Sequence, residues 1–308
     1  MNLLKEKNHR SGLWLFLVLF IVFITGNLVI GAFFYEEFAL YHQLVDVLIP
    51  CLVYLVATGQ PIISTLKLDV GLSAKNVWRI FQLFLISFLI KYGINYLVAV
   101  LARIDSGEVT IRVFEMVPNL WVFFIAVAVI PVILEEVFIR GVILDHFRDV
   151  SLLQASVVTG VLFGLMHIDL GQLGYATALG IIMAAIVLVT GSLWGGILFH
   201  FFNNFTSFAV LATLKMMAES FPEIFDIQDI LEVQPLETGF MDNLLMIVIA
   251  LSLLIAGVYM TVHYIKKMIR ENGYEMPVSH VSWKGLFVNA PMGILLALYV
   301  GLNVVLYF

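Results

Sequence analysis

The sequence predicts an all-α, polytopic membrane helical bundle of about eight or nine transmembrane helices. Three observations predict it. Of 308 residues, 62% are hydrophobic and 12% charged, about half the ~25% charge of a typical soluble domain. The apolar residues gather into nine runs, at 13–34, 43–65, 77–101, 119–146, 151–168, 171–189, 193–215, 242–265 and 285–307, most of them near the roughly 17–25 residues that a spanning helix needs. Lys and Arg collect in alternate connectors, as the positive-inside rule expects.

The first run follows a basic flank, MNLLKEKNHRSG, and has no small-x-small cleavage site after it. It reads as a retained signal anchor with a cytoplasmic N-terminus. The inside connectors then carry Lys5, Lys7 and Arg10; Lys67 and Lys75; Arg148; and Lys266, Lys267 and Arg270. Glu36 and Glu37 fall outside, as does an acidic loop from Met216 to Met241. Arg103 and Arg112 run against the rule. Acidic and apolar residues interleave in the Met216–Met241 loop, which fits an interfacial helix as well as a solvated connector. The C-terminus falls outside. The runs group into N-terminal transmembrane helices in 1–118, a core in 119–215, and the acidic loop with C-terminal transmembrane helices in 216–308. The single cysteine, Cys51, excludes an intrachain disulfide and a Cys-based zinc site. The net charge of −6 does not point to an acidic partner. The expected partner at this point is the lipid bilayer, with no nucleic acid.

Chemistry concentrates in the core. PVILEEVFIR, from Pro131 to Arg140, sets Glu135, Glu136 and Arg140 inside an apolar run. Each ionisable group there costs from about 2.5 kcal/mol upward, so it is a functional-site candidate by default. Glu136 and Arg140 are four apart and share a helix face in the favoured order. Glu135 is turned about 100° away, with no local partner. A packing ion pair therefore accounts for Glu136 and Arg140 but leaves Glu135 over.

LFGLMHIDL closes the next run with His167; Gly160 and Gly164 share its face and allow a close helix approach. Phe163 stands four residues before His167, placed to pack beside the imidazole. GILFHFFNNFTS carries His200 and Asn204 four apart, with Asn203 turned about 100° from Asn204. Each histidine alone reads equally well as a packing residue. Together they say more. At ~1.5 Å per residue from the inner ends of their runs, Glu135, His167, His200 and Asn204 lie at ~18, ~24, ~11 and ~17 Å, all within a ~30 Å hydrocarbon slab. Carboxylate with imidazole suits activation of water. Imidazole with carboxamide suits donation to an oxyanion. His167, His200 and Glu135 would equally suit a catalytic zinc with an open position. No H-E-x-x-H is present, and Gly191-Ser192 lacks the flanks of a nucleophile motif.

The three patterns, EExxxR at Glu135–Arg140, FxxxH at Phe163–His167 and HxxxN at His200–Asn204, resemble in order and spacing the signatures of the CPBP family, which holds the type II CAAX prenyl endopeptidases and the lysostaphin-resistance-like (Abi) proteins. The resemblance covers Pro131 to Phe208, about a quarter of the chain. It implies an intramembrane endopeptidase with a CPBP-like catalytic core in 119–215. Glu135 resembles the water-activating glutamate and His167 its partner; His200 and Asn204 resemble the oxyanion pair; Glu136, Arg140 and Phe163 take supporting positions. The favoured mechanism needs no cofactor, and zinc is the alternative. The Abi branch implies a bacterial plasma membrane and a membrane-associated peptide substrate. It also admits a non-enzymatic role in bacteriocin self-immunity or complex scaffolding. A proton-coupled transporter, with Glu and His as relay, is a further rival. Among other polar residues, Lys91 reads as packing or snorkelling, Asp46 as wet, Asp169 as interfacial, and Asp145 and His146 as lying at the inner boundary, where charge costs little.

Overall fold

The computed structural model describes residues 7–33, 43–102, 104, 119–221 and 243–307. Among these, each of the nine apolar runs corresponds to a helix: α1 (His9–Phe33), α2 (Leu44–Thr58), α3 (Ala74–Ala102), α4 (Leu120–His146), α5 (Leu152–Met166), α6 (Leu170–Thr190), α7 (Leu193–Ser220), α8 (Leu244–Asn272) and α9 (Ala290–Tyr307). Six of them, α1, α3, α4, α6, α7 and α8, are long and apolar enough to cross a membrane; α2, α5 and α9 are shorter apolar helices. The chain is thus a polytopic helical membrane bundle. The readings of Glu36, Glu37, Arg103 and Arg112, and of the acidic loop beyond Phe221, lie outside the described residues.

The core segment positions the rest. α6 packs against α3, α5, α7 and α8. Its tightest neighbour is α5, because glycines replace side chains where the two cross. A methyl on Gly180 would lie 2.9 Å from the Gly160 Cα, and one on Gly160 would lie 2.7 Å from the Ile181 nitrogen. The Gly160–Gly164 face thus makes the close approach its spacing implies. α5 starts with a capping box, in which Ser151 and Gln154 exchange side-chain and backbone hydrogen bonds. α6 starts on Asp169, whose Oδ1 accepts from the Gly171 nitrogen at 2.7 Å. Asp169, read as interfacial, is the cap of α6.

Outward faces are apolar. On α8, Leu245, Val248, Ile255, Tyr259 and Val262 are exposed, a surface suited to lipid. α8 is pinned to α3 at its polar end: Arg79 donates twice to Glu271, at 3.0 and 2.8 Å, and Asn76 and Asn272 exchange amide bonds at 2.9 and 3.0 Å.

The segment between α2 and α3 ties two core helices together. Leu66 packs where Gly141 of α4 leaves room. The Lys67 carbonyl accepts from the Leu193 nitrogen at 3.1 Å, which satisfies one open backbone N–H in the first turn of α7, and the Leu68 carbonyl accepts from the Trp194 indole Nε1 at 3.1 Å. The residues read as lying at the inner boundary, Asp145 and His146 at the end of α4, are buried in protein. His146 is fully buried between the Ser11 hydroxyl, at 2.8 Å, and the Tyr54 hydroxyl, at 2.7 Å. Asp145 meets Lys7, Arg148 and Lys67. Burial pushes the Lys67 ammonium below the ordinary lysine range; Asp145 opposes this, and Arg148 and Lys7 add to it. Asp46, expected to be wet, is also buried, and accepts from Asn27 at 3.3 Å. The contacts of Asp145 and His146 knit α1, α2 and α4 together at one end of the bundle.

Candidate active site

The site forms where α4 departs from regular geometry. Pro131 lacks an N–H and cannot complete the helical ladder. On both sides of its turn, Ile130–Glu136, the helix widens to π geometry, at Ile125–Val129 and Val137–Ile143. Such widenings recur at functional sites because they turn side chains off the regular 3.6-residue register. Here they frame Glu135 and Glu136.

Glu136 and Arg140 are each 0% exposed. Arg140 donates through Nη1 to Glu136 Oε1 at 2.9 Å and through Nη2 to the Gly180 carbonyl at 3.3 Å. Its guanidinium also lies over the Phe163 ring, 4.3 Å from the centroid, where ring quadrupole and cation attract. The pairing read from the spacing is present. A second partner of Glu136 was not legible in the spacing: His200 Nδ1 lies 3.1 Å from the same Oε1. A carboxylate facing a cation accepts, so Nδ1 carries the proton and Nε2 points onward. Onward is Glu135, whose Oε2 is 3.8 Å from His200 Nε2. The two adjacent glutamates thus address opposite nitrogens of one imidazole.

Room for this comes from Gly196, one turn before His200 on α7. A methyl there would collide with the Glu136 carboxylate and sit 2.9 Å from Val187 Cγ2. The four-residue spacing to His200 was the available signal for Gly196, and the sequence reading passed over it.

Phe163 links the second histidine. Its ring stands edge-on to His167 at 4.8 Å and to His200 at 5.7 Å between centroids. His167 Nδ1 donates to the Phe163 carbonyl at 2.8 Å. Its Nε2 is therefore the free acceptor when the ring is neutral. His167 closes α5, and Ile168 beyond it adopts φ +53°, a left-handed backbone that a β-branched residue rarely takes. Strain of this kind clusters at functional sites.

Asn204 lies one turn beyond His200 and donates through Nδ2 to the Val127 carbonyl of α4 at 2.9 Å. Asn203 turns the other way, toward the Phe199 carbonyl and Ser87 of α3. Lys91 of α3 lies over Tyr175, 5.3 Å from the ring centroid. Glu135, Glu136, Arg140, Phe163, His167 and His200 therefore form one chain of contacts, and Asn204 approaches α4 beside it. Among the described residues no group of three His, Cys, Asp or Glu side chains is placed to hold a metal ion; His167, Glu135 and His200 are the residues that would hold zinc.

Two comparisons with known proteins bear on this site. Residues 117–206 match the family model "Type II CAAX prenyl endopeptidase Rce1-like". The chain is also 28% identical over 152 residues to the Bacillus subtilis (strain 168) protein described as "Putative membrane peptidase YdiL". That alignment covers 48% of this chain and 60% of the relative's length. No solved structure matches the chain. The family match spans α4, α5, α6 and the first half of α7, which carry every motif residue named above. Both matches support a likeness to the CPBP family over the segment from residue 117 to 206.

Proposed function

We propose that this protein is an intramembrane endopeptidase of the CAAX-processing type. The observation that carries the reading is the placing of one buried imidazole, His200, between Glu136 at 3.1 Å and Glu135 at 3.8 Å. A structural ion pair needs only one of those carboxylates.

In the proposed reaction Glu135 takes a proton from water, and the hydroxide attacks the carbonyl carbon of the scissile amide. His167, its Nδ1 committed to the Phe163 carbonyl, turns Nε2 toward that water. The negative charge that develops on the carbonyl oxygen is met by His200 Nε2–H and by the second Asn204 amide hydrogen. Preorganised donors of this kind are worth most in a dry site. Glu136 holds Nδ1 and supports the protonated ring. The proton on Glu135 then passes to the leaving nitrogen as the C–N bond breaks. No step runs through a metal. The substrate is a membrane-associated peptide, and the CAAX resemblance suggests a prenylated C-terminus.

The test uses full-length protein in proteoliposomes, with a fluorogenic peptide library in prenylated and unprenylated forms. Glu135→Gln and His200→Ala, shown to be folded by their melting curves, are each expected to abolish cleavage. Retained cleavage in either overturns the assignment. A Glu135→Gln variant that still protected cells against a bacteriocin would favour the non-catalytic immunity role.

A further inference from the structure

We infer that Asn204 is also a positioning residue, which splints the break at Pro131 and so fixes the aim of Glu135. Pro131 offers no N–H, and in a regular ladder its partner would be the carbonyl four residues earlier. That carbonyl is Val127, and Asn204 Nδ2 donates to it at 2.9 Å. An unpaired carbonyl inside a membrane costs several kcal/mol, so this contact answers a specific vacancy in the ladder. The backbone is distorted there: the Ile130 nitrogen reaches back to the Ile125 carbonyl in π fashion, and Val129 has φ −116° and ψ −62°.

The contacts of α7 straddle the break. Val127 lies four residues before Pro131 and Glu135 four residues after it. Asn204 grips the first side through Val127, and His200 grips the second through Glu136 Oε1 at 3.1 Å. His200 and Asn204 are one turn apart on a continuous α-helix. A helix broken at proline can pivot at the break. Two grips on one rigid neighbour, on either side of the break, remove that freedom. The HxxxN spacing thus serves as a clamp as well as a pair of donors. This deepens the proposed function, and its activity arm rests on that reading, while its stability arm does not.

The experiment is a cycle of Asn204→Ala, Pro131→Ala and the double variant in the full chain. Alanine at 131 restores an N–H that can supply the Val127 carbonyl. With Pro131 present, Asn204→Ala is expected to lower the melting midpoint by about 2–4 °C and cleavage by about tenfold. In the Pro131→Ala background, taken as its own reference, the same change should cost less than half that shift and less than about threefold in rate, because neighbouring sites couple. Equal losses in both backgrounds overturn the proposal and leave Asn204 acting only on the reacting atoms. If Asn204→Ala does not fold, a folded double variant supports the splint and an unfolded one overturns it. If the wild type cleaves nothing in the library, the proposed function fails, and the melting cycle still reads the splint.

Discussion

Among the described residues, two Arg–Glu pairs are built differently: one joins α3 to α8 and the other lies within α4. At the polar end of α3 and α8, Arg79 meets Glu271 through two hydrogen bonds, at 3.0 and 2.8 Å. In the middle of α4, Arg140 meets Glu136 through one, at 2.9 Å, with both side chains fully buried. Glu136 Oε2 and Arg140 Nε have no hydrogen-bond partner. The first pair is the better fastener. The second is expensive, since a buried pair recovers its desolvation cost only when its remaining lone pairs and protons are satisfied. Stability alone would favour replacing it with apolar side chains. The pair is intelligible if Glu136 is there for His200, with Arg140 holding the carboxylate in place.

The comparison can be broken or sharpened by substitution. The largest effect is expected from Arg140→Ala, which strands Glu136 in an apolar interior: about 3–5 kcal/mol of stability and all cleavage, read from melting curves and turnover. An Arg140→Ala protein that cleaves normally would dissolve the link between the pair and the site. Next is Gly196→Ala, whose methyl displaces the Glu136 carboxylate from His200. Turnover should fall about tenfold while the melting midpoint changes little. Equal effects on both would mean that Gly196 matters only for packing. The smallest effect is expected from Arg79→Ala, which should lower the melting midpoint by less than Arg140→Ala does and leave turnover untouched. A drop in turnover there would show that the α3–α8 seam reaches the site.

What was legible in the sequence was local. Contacts three and four residues apart on one helix, such as Glu136 with Arg140 and Phe163 with His167, follow from helical period and were read from spacing alone. The nine helices follow from apolar run length. Contacts between helices were not legible, because they depend on depth and rotation. A uniform ~1.5 Å rise separates Glu135 and His200 by ~7 Å in depth, yet Glu135 Oε2 and His200 Nε2 are 3.8 Å apart. The π segments of α4 put more residues into each turn, so the helix is shorter and turns less per residue than a uniform α-helix. Pro131 was the visible cause of the first widening. The Val127 carbonyl it frees could have been named from the sequence, but not the helix that would supply the donor. The burial of Asp145 and His146 was not legible for a related reason: apolar run length locates the end of a helix, not whether other segments close over it.

α5 has one further consequence. Its 15 residues span ~22 Å, about 8 Å less than a typical hydrocarbon core. Nearly all of its residues are buried, so surrounding protein, not lipid, borders the shortfall. The non-helical turn at His167, Ile168 and Asp169 is then held at a depth where open backbone survives only in protein or beside water, and His167 and Ile168 are only partly buried. Hydrolysis consumes water, which a bilayer withholds. For the hydrolysis proposed above, the short helix would leave the turn beside His167 as the place where the second reactant enters.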